Sequence, residues 1–333
     1  MMNSYKPNFS IFIWLMLITF LLVIMILVGG ITRLTGSGLS MVEWRPFLGI
    51  LPPLTENEWI RIFDLYKLSP EYKLINSWMT ITDFKFIFFW EYFHRIWGRL
   101  IGICFLIPFL YFIYQNKFER KIFFRTSLLF FLICIQGIIG WWMVKSGLSE
   151  APSVSQYRLS VHLSMAFLIL GITLWTALDL YEGPVNKINF FDLIPLILIS
   201  ITIVAGTFVS GMDAGLVYNS FPYMGETIIP IEYGSLGLLD PFENPVSAQF
   251  HHRILAVITL IIIILYSMNY LYKNKINFRI FFMVFSVFCQ FLIGILTLIN
   301  SVPVHLGALH QFGGIVLFLS ALWLLHYQKM SYS

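Results

Sequence analysis

The sequence predicts an all-α membrane protein: eight transmembrane helices forming two parallel-repeated four-helix bundles related by a pseudo-twofold axis along the membrane normal. Three observations predict it. Of the 333 residues, 58% are hydrophobic and only 11% charged, against about a quarter charged in soluble domains. Apolar runs of about 20 residues, long enough to cross a bilayer as helices, recur along the chain. Short motifs of the first half return, in the same order, in the second.

The spans are expected at 11–31, 86–114, 122–143, 158–181, 190–210, 248–272, 279–300 and 305–327. The first apolar run, 11–29, is long for a signal peptide and shows no Ala-x-Ala cleavage site, so it reads as a retained span. Cys104, Cys134 and Cys289 all fall inside spans and no Cys-x-x-Cys occurs, which argues against a disulfide framework or a zinc site. The net charge of +4 comes from scattered residues that mostly flank spans, a poor fit to nucleic-acid binding.

Lysine and arginine set the orientation. The loops at 115–125, 182–189 and 273–279 carry Lys117, Arg120, Lys121, Arg125, Lys187, Lys273, Lys275 and Arg279, while Lys6 and Lys329 flank the termini. The opposite loop at 211–247 has no Lys or Arg but holds Asp213, Glu226, Glu232, Asp240 and Glu243. Both termini are therefore expected in the cytoplasm. The Ile/Phe/Asn/Lys bias suits an AT-rich bacterial genome, so a multi-pass protein of a bacterial inner membrane is expected.

The first outer loop, 32–85, reads as folded. Thr55 and Glu58 fit a capping box, and Trp59, Ile62, Phe63 and Tyr66 then share one helical face. Ser69-Pro70-Glu71 opens a second short helix, with proline at its first position. Amphipathic helices lying over the outer ends of the bundle are one expectation; interfacial anchoring alone is the other.

The repeat joins "EYFHR" (91–95) to "QFHHR" (249–253). His94-Arg95 is followed by Gln136, Gly140, His162 and Trp175; His252-Arg253 by Gln290, Gly294, His310 and Trp323. Span 1 ends in Gly30 and then Gly38-Leu39, span 5 in Gly206 and then Gly215-Leu216. The halves are thus 1–185 and 186–333. Each has an even number of spans, so the repeat is parallel.

Four of the seven histidines, His94, His162, His252 and His310, sit near the start of an even-numbered span, just after an outer loop. All four lie at similar depth. Two imidazoles facing each other inside a bundle make a bis-histidine site of the kind that holds haem iron. Zinc fits less well, because no further ligand recurs at each site. His251, His305 and His326 have no repeat partner and receive no role. Arg95 and Arg253 each follow a proposed ligand, where a guanidinium would meet a porphyrin propionate. Arg95 also lies four residues after Glu91, so pairing with that carboxylate stands as the alternative.

Glu91 and His94 are three residues apart on one helical face. Gln249 takes the equivalent place in the second half and cannot act as a base. A carboxylate kept in one half alone points to chemistry there, with a structural ion pair to Arg95 as the other reading. The first half reads as the reactive site and the second as the holder of a permanent redox cofactor.

The run "GGITRLTGSGLSMVEWRPFLGILPP" with "EYFHR", "QFHHR" and "LGALHQ" resembles haem A synthase, in its proteobacterial and mitochondrial branch, over essentially the whole chain. The "GSG" at 36–38 follows a membrane span and is no dinucleotide fingerprint. The resemblance implies oxidation of one ring methyl of haem O to a formyl group by successive hydroxylations, giving haem A for cytochrome oxidase. It implies His94 and His162 flanking the substrate haem O, His252 and His310 holding a b-type haem, and Glu91 as the catalytic carboxylate. Contact with haem O synthase, the farnesyltransferase, and a role in cytochrome oxidase assembly are implied too. Another branch has paired outer-loop cysteines, absent here. The competing class is a bis-histidine electron-transfer cytochrome with two permanent haems, which leaves Glu91 without a task.

Overall fold

The computed structural model describes residues 8–43, 51–148, 152–185, 188–273 and 276–327. The flanking charges Lys6, Lys187, Lys275 and Lys329, and the 44–50 part of the outer-loop motif, lie outside these described residues. Among the described residues, eight helices are long and apolar enough to cross a membrane. They are α1 (Phe9–Leu34), α3 (Ile81–Tyr114), α4 (Arg120–Gly147), α5 (Gln156–Glu182), α6 (Phe190–Gly211), α8 (Pro245–Lys273), α9 (Phe278–Ile299) and α10 (Val304–Tyr327). Two shorter ones, α2 (Glu56–Lys67) and α7 (Asp240–Glu243), belong to the segments between spans. The all-helical membrane fold is as the sequence predicts.

By backbone contacts the chain divides into two compact units, Leu21–Ala166 and Met1–Phe20 with Phe167–Ser333. In the second unit α9 packs on α10 and α8, and α6 packs on α8 and α10. In the first unit α3 packs on α4 and carries α2.

The helix α3 begins about five residues before the expected span. Its start is a capping box: Thr80 accepts from the Asp83 N–H, and Asp83 accepts from the Thr80 N–H. The added outer turns have a purpose in packing. Phe63 and Tyr66 of α2 are buried with Phe84, Ile87 and Phe88 of α3, and Trp59 and Ile62 pack against them. The apolar face of α2 is therefore spent on α3, which selects a folded loop over interfacial anchoring alone. Thr55 caps α2 by accepting from the Glu58 N–H. Pro70 does open a helical segment, but it continues as one π turn, Tyr72–Asn76, in place of a second α-helix.

Under that apolar cluster lies a buried polar chain. Asn76 Nδ2 donates to the Tyr66 hydroxyl, which donates to Glu71 Oε2, both at 2.8 Å. Burial pushes Glu71 up to about 7; the nearby Glu91 charge adds to the rise, while the Tyr66 hydrogen bond and Arg33 oppose it. A carboxyl raised on folding gives stability that is fully present below its unfolded value, about 4.3. That stability is lost as pH rises through about 7. Thermal unfolding of the detergent-solubilised protein is expected to show a lower midpoint at pH 8 than at pH 5. Glu71→Gln, which cannot ionise, is expected to flatten the part of that slope due to this site. An unchanged slope in the variant would remove Glu71 from the account.

Candidate functional site

The backbone that covers Glu91 is set by the way α1 ends. Gly36 lies in the left-handed region (φ +61°), the Ser37 N–H returns to the Thr32 carbonyl and the Gly36 N–H to Arg33. This is a Schellman stop, a position that suits glycine because it has no Cβ. The chain then crosses the outer end of α3. There Ser40 Oγ and the Met41 N–H each donate to Glu91 Oε2 at 2.7 Å. Arg95, one turn along, donates to Glu91 Oε1 and, at 3.3 Å, to the Met41 carbonyl. Glu91 is 3% exposed. The ion pair anticipated as one reading of Arg95 is therefore present.

The second half repeats this arrangement with the polarity reversed. Gln249 is 2% exposed, and its amide donates to the Tyr218 carbonyl at 2.9 Å. Met41 and Tyr218 are equivalent, three residues after Gly38 and Gly215 respectively. A carboxylate therefore faces an N–H and a hydroxyl in one half, and an amide faces a carbonyl in the other. Arg253 also donates to Tyr218, and to the carbonyls of Ser220 and Tyr223. Both arginines tie down the loop that follows an odd-numbered span.

The four histidines share one packing rule. Each lies against a glycine of an odd-numbered span. A Cβ built on Gly140 would stand 3.1 Å from His162 Cε1, one on Gly206 3.0 Å from His252, and one on Gly294 2.8 Å from His310. On Gly29 it would stand 3.2 Å from His94 Nε2. The His94 contact is related to the others by a half-turn of the ring, which exchanges Nε2 with Cε1. The equivalent of Gly206 is thus Gly29, not Gly30; both Gly29 and Gly206 lie nine residues before the Gly-Leu pair of their half. Glycine at these places lets an imidazole lie flush on the neighbouring backbone, where any side chain would displace it.

In the second half the two rings lie close together, edge to face. The centroids of His252 and His310 are 6.4 Å apart, with planes at 89°. Imidazole–metal bonds of about 2 Å and a ring radius of about 1.1 Å give about 6.2 Å for two imidazoles sharing one ion. His252 Nδ1 lies 3.1 Å from the Thr202 carbonyl. That contact makes Nδ1 the protonated nitrogen and leaves the Nε2 lone pair free, the tautomer a metal ligand needs. These residues therefore fit axial ligation of a haem iron. His251 turns elsewhere, against the Tyr233 ring and hydroxyl, which separates it from His252. No group of three or more His, Cys, Asp or Glu suited to a metal occurs among the described residues.

The chain matches the family model of the cytochrome oxidase assembly protein, COX15-CtaA, over residues 12–322. The chain belongs to that family. Among curated family members, a haem A synthase of Pelagibacter ubique is 44% identical, with 95% of this chain and 96% of the relative covered. One of Nitrosospira multiformis is 41% identical, covering 97% and 95%. One of Flavobacterium psychrophilum is also 41% identical, covering 96% and 98%. The resemblance to haem A synthase read from the motifs is borne out across nearly the full chain, and the name its relatives carry favours the synthase over the electron-transfer cytochrome.

One cluster escaped the sequence reading. His326 is fully buried, with Nε2 3.0 Å from Asp179 Oδ1 and Nδ1 3.3 Å from Glu182 Oε2. Arg279 pairs with Glu182 and stacks on Trp323 and Tyr327. The available signal was the pair of acids, Asp179 and Glu182, on one face at the end of an apolar span. Their basic partners lie about 100 and 150 residues further on, beyond any local pattern.

Proposed function

We propose that this protein is a haem A synthase, an oxidoreductase that acts on a ring CH3 group of haem O and converts it to a formyl group by successive hydroxylations. The observation that carries this reading is the reversed polarity at one repeated position: Glu91 beneath the N–H of Met41, Gln249 beneath the carbonyl of Tyr218. Residues 1–185 form the substrate half, with His94 and His162 flanking haem O. Residues 186–333 form the cofactor half, where His252 and His310 would hold a b-type haem. When bound, that haem supplies one-electron redox chemistry for removing electrons from the substrate.

The protein's own part is positional and acid–base. Ser40, Met41 and Arg95 fix the Glu91 carboxylate on the face of α3 that carries His94. There Glu91 takes the proton released at the methyl carbon, or orients the water that attacks it. An amide at that place cannot take up a proton, so the second half binds without reacting. Arg95 and Arg253 each come one residue after a proposed ligand, where a guanidinium would meet a porphyrin propionate. The protein would act beside haem O synthase in supplying cytochrome oxidase, in a bacterial inner membrane with both termini in the cytoplasm.

The test is the haem content of the protein purified from cells that make haem O. Extraction is expected to yield haem B together with haem A or a hydroxylated form of haem O. Haem B alone, at two per chain, would overturn the reading.

A further inference from the structure

Gln136 and Gln290 are repeat equivalents, each four residues before the glycine that seats a histidine, yet they do different things. The Gln290 amide nitrogen lies 3.2 Å from His310 Nδ1 and 3.5 Å from its Nε2, and the Gln290 Oε1 is buried without a hydrogen-bond partner. An iron ligand uses Nε2, so Nδ1 carries the proton and must meet an acceptor. A half-turn of the amide answers both needs: Oε1 then accepts from Nδ1–H, and no buried acceptor is orphaned. Room for this amide comes from α10. A Cβ on Gly313 would stand 2.2 Å from Gln290 Oε1, and one on Gly314 would stand 3.5 Å from its Nε2.

The first half lacks that room. Three and four residues after His162 stand Met165 and Ala166, where the second half has Gly313 and Gly314. Gln136 instead donates to the backbone carbonyl of His162 at 3.0 Å, with its amide nitrogen 3.5 Å from His162 Nε2; its Oε1 too is buried without a partner, but a half-turn there would give up the bond to the carbonyl. His162 Nδ1 is buried with no partner.

We infer that Gln290, seated over Gly313, is a positioning residue that locks His310 as an iron ligand. We infer also that this lock makes the second half the site of a resident haem, while the first half, without it, is built to load and release its porphyrin. The inference rests on the assignment of substrate and cofactor halves above. An anchored Nδ1–H makes the imidazole a stronger donor to iron, and loss of such an outer contact costs about 10–100-fold in metal affinity.

The experiment uses the full-length holoprotein in detergent, challenged with excess apoglobin as haem acceptor, alongside redox titration of its haem B. Wild type is expected to hold its haem B. Gln290→Leu and Gly313→Val are expected to release it about 10–100-fold faster. The haem B potential is expected to rise in Gln290→Leu and fall in Gln290→Glu, whose carboxylate accepts more strongly. Gln136→Leu should leave haem B release and potential as in wild type. In the converse variant, Met165→Gly with Ala166→Gly, release of porphyrin from the first half should slow. Unchanged haem B release in Gln290→Leu, or potentials shifted the same way by Leu and Glu, would overturn the lock. A wild-type protein carrying no haem B would instead overturn the underlying assignment of halves, and the lock with it.

Discussion

Glu91→Gln is expected to abolish haem A formation while leaving the haem B content at its wild-type level. The loss should be about 10²–10⁴-fold, the range that a positioned acid or base supplies. The variant makes the first half imitate the second, where Gln249 already sits buried in the equivalent place, so an amide at 91 is compatible with the fold. It does carry a local cost. Glu91 accepts from Ser40, Met41 and Arg95, and an amide must turn an NH₂ toward one of those donors. An unpaired buried donor costs about 1–3 kcal/mol. Ser40→Ala separates the two effects: it removes one hydrogen bond to Glu91 and keeps the carboxylate, so it should lower turnover far less than Glu91→Gln. Haem A extracted per chain, measured beside haem B by chromatography, reads all three proteins. Wild-type haem A output from Glu91→Gln would remove the carboxylate from the chemistry.

His252→Leu and His310→Leu are each expected to lose the resident haem, and with it all turnover. The rings share one gap of 6.4 Å between centroids, so removing either leaves a single axial ligand. His94→Leu and His162→Leu should keep haem B and fail at the substrate step. The difference between the pairs is the second largest effect expected, and it separates a cofactor half from a substrate half without assaying intermediates.

Much of this was legible in the chain. The eight spans follow from apolar runs of about 20 residues, because the bilayer core has no water for backbone polar groups and a helix satisfies its own. The four histidines and the Glu91–Gln249 difference stood out because a duplication supplies its own comparison. What stayed hidden required distance. That α3 starts early depends on Phe63 and Tyr66 needing Phe84 and Phe88 as a floor, a pairing the local pattern leaves unspecified. The glycine register was misread by one residue at Gly30, because two adjacent glycines end span 1; the His94 contact picks out Gly29, which also matches Gly206 in lying nine residues before the Gly-Leu pair of its half. Gln136 and Gln290 were visible as repeat markers. Their divergence became visible only with Gly313 placed beneath the second of them.

The central claim is that two imidazoles in the second half clasp one iron. Electron paramagnetic resonance of the oxidised, haem B-loaded protein tests it most directly. The account expects a low-spin ferric signal of bis-imidazole type that disappears in both His252→Leu and His310→Leu and persists in His94→Leu. A high-spin signal in wild type, or a low-spin one that survives loss of either second-half histidine, would contradict it.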